Sequence, residues 1–296
     1  MLKLQGIYCP LATPFDHEGA IYKVKVAHNV GKANQVKLAG YVVGGATGEG
    51  ALLAADERTA LFELVKQSAA ADRQLLADVS AGGVAESVKL AAAAAALGYH
   101  GVLVRTPHAY VDQMSAMETQ ELYFRAVADR AALPVVIVNS PMATGINLDA
   151  ACIARLAAHP NIGGLCDASG DLAKLLTIVR SAPRTFAVLT GSSAVLWPAL
   201  DHGAAGGILP IANAAPYACI TIWEAHRTRE REAALDWQGR ILTASALIGG
   251  ARYGVAGLKH AMDLNGFYGG PCRLPLGPLR PEARAEIAAA FDGIRG

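Results

Sequence analysis

The sequence is poor in the features that announce a metal, a disulfide framework, a membrane span or a polyanionic partner. Its five cysteines, Cys9, Cys152, Cys166, Cys219 and Cys272, are widely separated and form no CxxC or Cys/His cluster, which argues against structural zinc and against disulfides. The eight histidines are as scattered, with no HExxH motif, so neither a catalytic metal nor another cofactor is expected. No run of about 18 uninterrupted apolar residues occurs, and the opening MLKLQGIYCP lacks the long apolar core of a signal peptide. The expectation is a soluble, cytoplasmic chain. Lys plus Arg number 26 against 25 Asp plus Glu, a formal net charge of +1, which gives no electrostatic reason to bind nucleic acid or an anionic membrane. A small-molecule partner is expected instead.

What the chain does have is apolar content, 53% of 296 residues, enough to bury a large core. Strand-like runs recur at Ile7–Ala12, Gly40–Gly44, Leu75–Ser80, Gly101–Arg105, Pro134–Val138, Ile162–Cys166, Phe186–Thr190 and Gly206–Pro210. Helical periodicity lies between them, at Val24–Leu38, Ala55–Ala70, Ala85–Leu97, Ser115–Ala131, Leu148–Ala158, Leu172–Ser181 and Ala194–Asp201. Buried runs alternating with amphipathic ones are the mark of parallel βαβ units. Eight repeats point to an α/β fold of the (β/α)8 TIM barrel kind, ~250 residues in its typical form. The barrel is expected over residues 1–227. Residues 228–296 read as a C-terminal helical extension, with helices at Arg229–Leu247, Ala251–Asn265 and Pro281–Ile294, packed on the barrel or on a neighbouring subunit.

In such a barrel, chemistry belongs to the carboxyl ends of the strands and the loops that follow. The runs LPVVIVN and NIGGLCDASGD place Val138, Asn139, Cys166 and Asp167 at two such ends. Strand three ends near Asp78, and strand four ends in Arg105 among apolar residues. An arginine there is costly to bury alone, so an ion pair with Asp78 is expected, or else either residue faces the helices or solvent. After strand two comes GGATGEG, whose glycines let the backbone approach a ligand and whose N–H groups can hold a carboxylate. A tight loop ahead of a helix is the alternative. His108 is the loop histidine that can serve as base to a nucleophilic Cys166, set against a solvated histidine and a cysteine that is merely a small apolar residue.

GATGEGALLAADER, LPVVIVNSPMATG, HPNIGGLCDASGD and AAGGILPIAN, in this order and spacing, resemble the dihydrodipicolinate synthase and N-acetylneuraminate lyase family of class I aldolases. The resemblance spans roughly Gly6 to Arg280 and implies a TIM barrel with three extra helices, usually assembled as a tetramer of two tight dimers, so a homo-oligomer, dimer or tetramer, is expected. It also implies a Schiff-base lysine at the end of strand six, where this sequence has Cys166, and a tyrosine at the end of strand five, where it has Val138. The family's Gly-Thr-Thr-Gly-Glu turn reads Gly45-Ala46-Thr47-Gly48-Glu49, and an arginine of its synthases is matched by Ala143. A loop tyrosine matches Ala109, beside Tyr110. Lys174, Lys89 and Lys259 are poorly placed to take over, being assigned to helices. The expectation is therefore a divergent lyase-like protein without Schiff-base machinery, acting on or binding a small oxo acid. Asp78, Cys166 and His108 are its catalytic candidates. Ala46, Thr47, Gly48, Glu49, Arg105, Val138, Asn139, Cys166, Asp167 and Ile208 are its candidates for binding. An inactive binding or regulatory relative, and an aldolase with relocated residues, are the alternatives.

Overall fold

The computed structural model describes residues 2–248 and 252–294. Eight parallel strands close into one barrel in chain order: β1 (Gly6–Pro10), β2 (Gly40–Val43), β3 (Gln74–Asp78), β4 (Gly101–Arg105), β5 (Val135–Asn139), β6 (Ile162–Asp167), β7 (Ala187–Thr190) and β8 (Gly206–Ile208). Each expected run became a strand, its ends displaced by no more than two residues. Closure runs through the β1–β8 pairing, Gly6↔Gly206 to Tyr8↔Ile208. Gly206 has φ +153°, and a Cβ there would sit 2.0 Å from the Gly6 carbonyl oxygen, so only glycine lets the seam close.

Strand pleating sorts side chains to two cores. Leu4, Tyr8, Val42, Leu76, Leu103, Val136, Val138, Cys166, Leu189 and Ile208 fill the barrel interior, while residues such as Val43, Ala77, Val104 and Ile137 face the helix layer. The helices follow local rules. Buried Ser87, Leu90, Ala91 and Ala94 lie at one-turn spacing on Val84–Ala96, whose alanines keep the helix near the sheet. Asp149 and Asp171 cap the helices Ala150–Leu156 and Leu172–Ser181 by accepting from the N–H of Cys152 and Lys174. The expected helix Ser115–Ala131 is shorter, Met117–Ala128, and a separate one-turn helix, Val111–Met114, precedes it. A further helix, Pro216–Thr228, completes the eighth unit, a segment given no helix from sequence.

Helices Arg231–Ile248, Gly254–Leu264 and Pro281–Phe291 form the extension; Ala251, the expected start of the second, lies outside the described residues. They share the outer core through Ile241, Leu247, Leu258 and Ile287. A buried ion pair secures them: Lys259 Nζ lies 2.6 Å from Glu49 Oε1, with both side chains at most 1% exposed. Glu49 Oε2 accepts from the Arg273 N–H at 2.8 Å, and the Arg273 fork grips Glu57 and the carbonyls of Gly19 and Leu52. Phe15 is shared between the two cations, at 4.5 Å from Lys259 Nζ and 4.6 Å from the Arg273 guanidinium. Among the described residues no helix is long and apolar enough to cross a membrane.

Removing one partner of this pair strands the other charge without water. Glu49→Ala is expected to destabilise the chain by roughly 3–5 kcal/mol in urea titration, whereas Glu49→Leu combined with Lys259→Met recovers most of that loss. A single variant with the parent's midpoint and slope contradicts the assignment.

Candidate functional site

A cavity of about 490 Å³ opens at the carboxyl ends of the strands. Its floor and walls are strand residues: Val42 from β2, Leu103 from β4, Val138 from β5, Cys166 from β6 and Ile208 from β8. Its roof comes from the extension, through Leu242, Ala246, Ile248, Val255 and Leu258. Sequence reasoning missed this roof, since nothing local to those helices says which strand ends they cover. It also passed over the lining serines Ser140, Ser192, Ser193 and Ser245. The Ser245 hydroxyl is buried and has no hydrogen-bond partner among the described residues.

Asp78 and Arg105 are the only charged residues lining the cavity among those described. Arg105 Nε lies 3.7 Å from Asp78 Oδ2 and donates to Ser80 Oγ at 3.4 Å, the same hydroxyl that accepts from the Arg105 N–H at 2.9 Å. Asp78 Oδ1 accepts from the Ser80 N–H at 2.9 Å, so Ser80 fixes both partners. Arg58 stands behind them. Its fork donates to the carbonyls of Ser80 and Asp78, and it lies 3.9 Å from Asp78 Oδ1. Burial lowers the Arg58 pKa, with Asp78 opposing that shift and Arg105 adding to it. The two terminal nitrogens of Arg105 make no hydrogen bond among the described residues.

Beside this pair lies the turn after β2. Asp78 Oδ2 is 3.0 Å from where a Cβ on Gly45 would stand, so that position must stay small. Ala46 and Thr47 line the cavity, and their N–H groups make no hydrogen bond within the protein among the described residues.

Other candidates are placed elsewhere. Asn139 and Asp167 follow Val138 and Cys166 by one residue, so pleating turns them outward. Asp167 is committed to Lys174 Nζ at 2.9 Å, to Asn139 Nδ2 at 3.2 Å and to Ser169. Asn139 Oδ1 in turn accepts from the Leu148 N–H. Gly48 faces the segment after β1, its carbonyl accepting from Thr13 Oγ1 at 2.6 Å, and Glu49 serves the extension as described. His108 is exposed on the loop after β4 and does not line the cavity, so it is no base for Cys166. Burial, reinforced by the negative charges of Asp167 and Asp78, pushes the Cys166 thiol well above its usual range. No lysine lines the cavity among the described residues: Lys174 is spent on Asp167 and Asn147, and Lys259 on Glu49 and the Pro271 carbonyl. Nor do three or more His, Cys, Asp or Glu converge as a metal site among them.

A model of the dihydrodipicolinate synthetase family matches residues 3–293. The chain belongs to that family. A 4-hydroxy-tetrahydrodipicolinate synthase of Acidiphilium cryptum is 31% identical over 289 residues, 98% of either chain. Among solved structures, a dihydrodipicolinate synthase of Bacillus anthracis superposes with a TM-score of 0.93 at 25% identity, covering 99% of both chains. A prophage protein of the same family from Escherichia coli, in complex with pyruvate, shares the fold at a TM-score of 0.92 and 24% identity, covering 98% of both. The family membership accords with the closed eight-stranded barrel described above.

Cys166 is expected to stay unlabelled by iodoacetamide at pH 8 in the native chain while the half-buried Cys272 reacts slowly, its own thiol raised to about 11 by burial. Peptide mass after labelling, with and without guanidinium, checks this; selective alkylation of native Cys166 would reveal an activated thiolate.

Proposed function

We propose that this chain is a divergent dihydrodipicolinate synthase/N-acetylneuraminate lyase-like protein that binds a small 2-oxo acid at the barrel mouth without forming a Schiff base. One observation carries the reading. Arg105, the only cation lining the cavity among the described residues, is held at Nε by Asp78 and Ser80, and its two terminal nitrogens make no hydrogen bond among those residues, the arrangement that takes a carboxylate in bidentate fashion. Ala46 and Thr47 line the same cavity, and their N–H groups, unbonded within the protein among the described residues, suit the same anion. The pyruvate bound to the Escherichia coli neighbour fits this choice of ligand class. An imine needs an amine beside the keto carbon, and Cys166 and Val138 offer none.

A second reading, lyase-type turnover, is favoured by Asp78, the one carboxylate in the cavity wall among the described residues and so the side-chain base of that kind they offer. In that case Asp78→Asn abolishes turnover while binding persists. The free cysteines fit a reducing, cytoplasmic setting. Homo-oligomer assembly, as dimer or tetramer, is supported by apolar side chains left exposed near the mouth, Tyr110 at 78% and Met142 at 71%. Sedimentation of the purified chain reads the assembly directly.

The central test is borohydride reduction with pyruvate and a panel of 2-oxo acids, read by intact mass, alongside thermal shifts. No adduct is expected, together with stabilisation by at least one acid that Arg105→Ala weakens by roughly ten- to a hundredfold, the scale of a lost charge-assisted contact. An adduct mapped to any lysine overturns the proposal.

A further inference from the structure

We infer that the acid this site takes carries a branched-alkyl or aryl group, so that its ligand is an apolar-substituted 2-oxo acid and not a three-carbon or a dicarboxylic one. The inference rests on the 2-oxo acid reading above and deepens it.

Among the described residues, charge is confined to one corner of the cavity. Arg105 pairs in register with Val138, and Val138 with Cys166. Neighbouring strands lie ~4.8 Å apart, so a carboxylate on the Arg105 fork sits at one end of a row whose next two positions are apolar, reaching on the order of 10 Å across the floor. A ligand body extending from that carboxylate runs over Val138 and Cys166 toward Ile208, beneath Leu242, Val255 and Leu258. Water against such walls is poorly partnered, and covering them is the favourable part of binding.

The remaining polar groups in this part are neutral hydroxyls. Ser192 and Ser193 line the wall after β7, and the buried Ser245 hydroxyl in the roof has no partner among the described residues. They can meet a carbonyl or hydroxyl on the ligand, whereas a second carboxylate would find no counter-charge and would pay its desolvation in full. Size points the same way. About 490 Å³ falls within the range of pockets that enclose drug-sized molecules, and pyruvate would leave most of it empty.

Calorimetric titration of the full chain with pyruvate, 2-oxoglutarate, 4-methyl-2-oxopentanoate and phenylpyruvate tests this. Burial of each methylene-sized group is worth about fourfold, so the last two acids are expected to bind at least ~50-fold more tightly than pyruvate, with 2-oxoglutarate weaker than either. Val138→Thr keeps the side-chain shape and makes the floor polar; it is expected to narrow the ratio between phenylpyruvate and pyruvate several-fold. If pyruvate or 2-oxoglutarate binds as tightly as the apolar acids, this inference falls while the oxo-acid site stands. An unchanged ratio in Val138→Thr overturns the placement of the apolar group on the floor. Failure of all four acids to bind overturns the oxo-acid reading and this inference with it.

Discussion

The buried contact between Glu49 and Lys259 is the constraint on which the rest of the molecule turns. Each charge would be ruinously placed without the other, and each belongs to a different part of the chain: Glu49 to the turn after β2, Lys259 to the extension. Arg273 reinforces the link by donating its backbone N–H to the same carboxylate and wrapping its fork around Glu57. The Arg273 fork in turn holds the Glu57 carboxyl below its usual range. The turn that presents Ala46 and Thr47 to the cavity and the helices that roof it are thereby fixed relative to each other. The shape of the mouth follows from that junction as much as from the barrel.

Much of the fold was legible because parallel strands buried on both faces read as short apolar runs bounded by small residues. Cys166, Val138, Asp78 and Arg105, read as residues of strand ends, all line the cavity, and of the two readings left open for Asp78 and Arg105 the structure has the ion pair. The misplacements share a cause. Asn139 and Asp167 were grouped with their neighbours as residues of a strand end, but a pleat turns each residue to the face opposite its predecessor. Lys174 is the outward partner of Asp167, so its presence in the next helix was a clue to that orientation. Glu49 was read with its turn as a ligand group, and its partner lies more than two hundred residues away, where no local pattern could point to it.

The roof was illegible for a similar reason. Leu242, Ala246 and Leu258 lie on helices whose apolar positions serve both the outer core and the cavity, so periodicity alone does not tell one face from the other. The short helix Val111–Met114 ends at no glycine or proline, so its boundary carries no strong signal in the sequence. Ser115 instead turns its hydroxyl back to the Val111 carbonyl and closes the short first segment. His108, chosen as the sole loop histidine near β4, is exposed; scarcity of a residue type is weak evidence of where its side chain points.

The division of the cavity between two parts of the chain has a consequence for how such a protein can change over generations. Its charged corner is written at the ends of β3 and β4, where Ser80 and Arg58 brace Asp78 and Arg105. Its ceiling is written on helices that take no part in the strand pairing. Mutational drift in the ceiling can therefore alter which molecular shapes are admitted while the anion-receptive corner is inherited intact, and neither trait has to be renegotiated with barrel closure. Selection can act on size and on charge as separate characters.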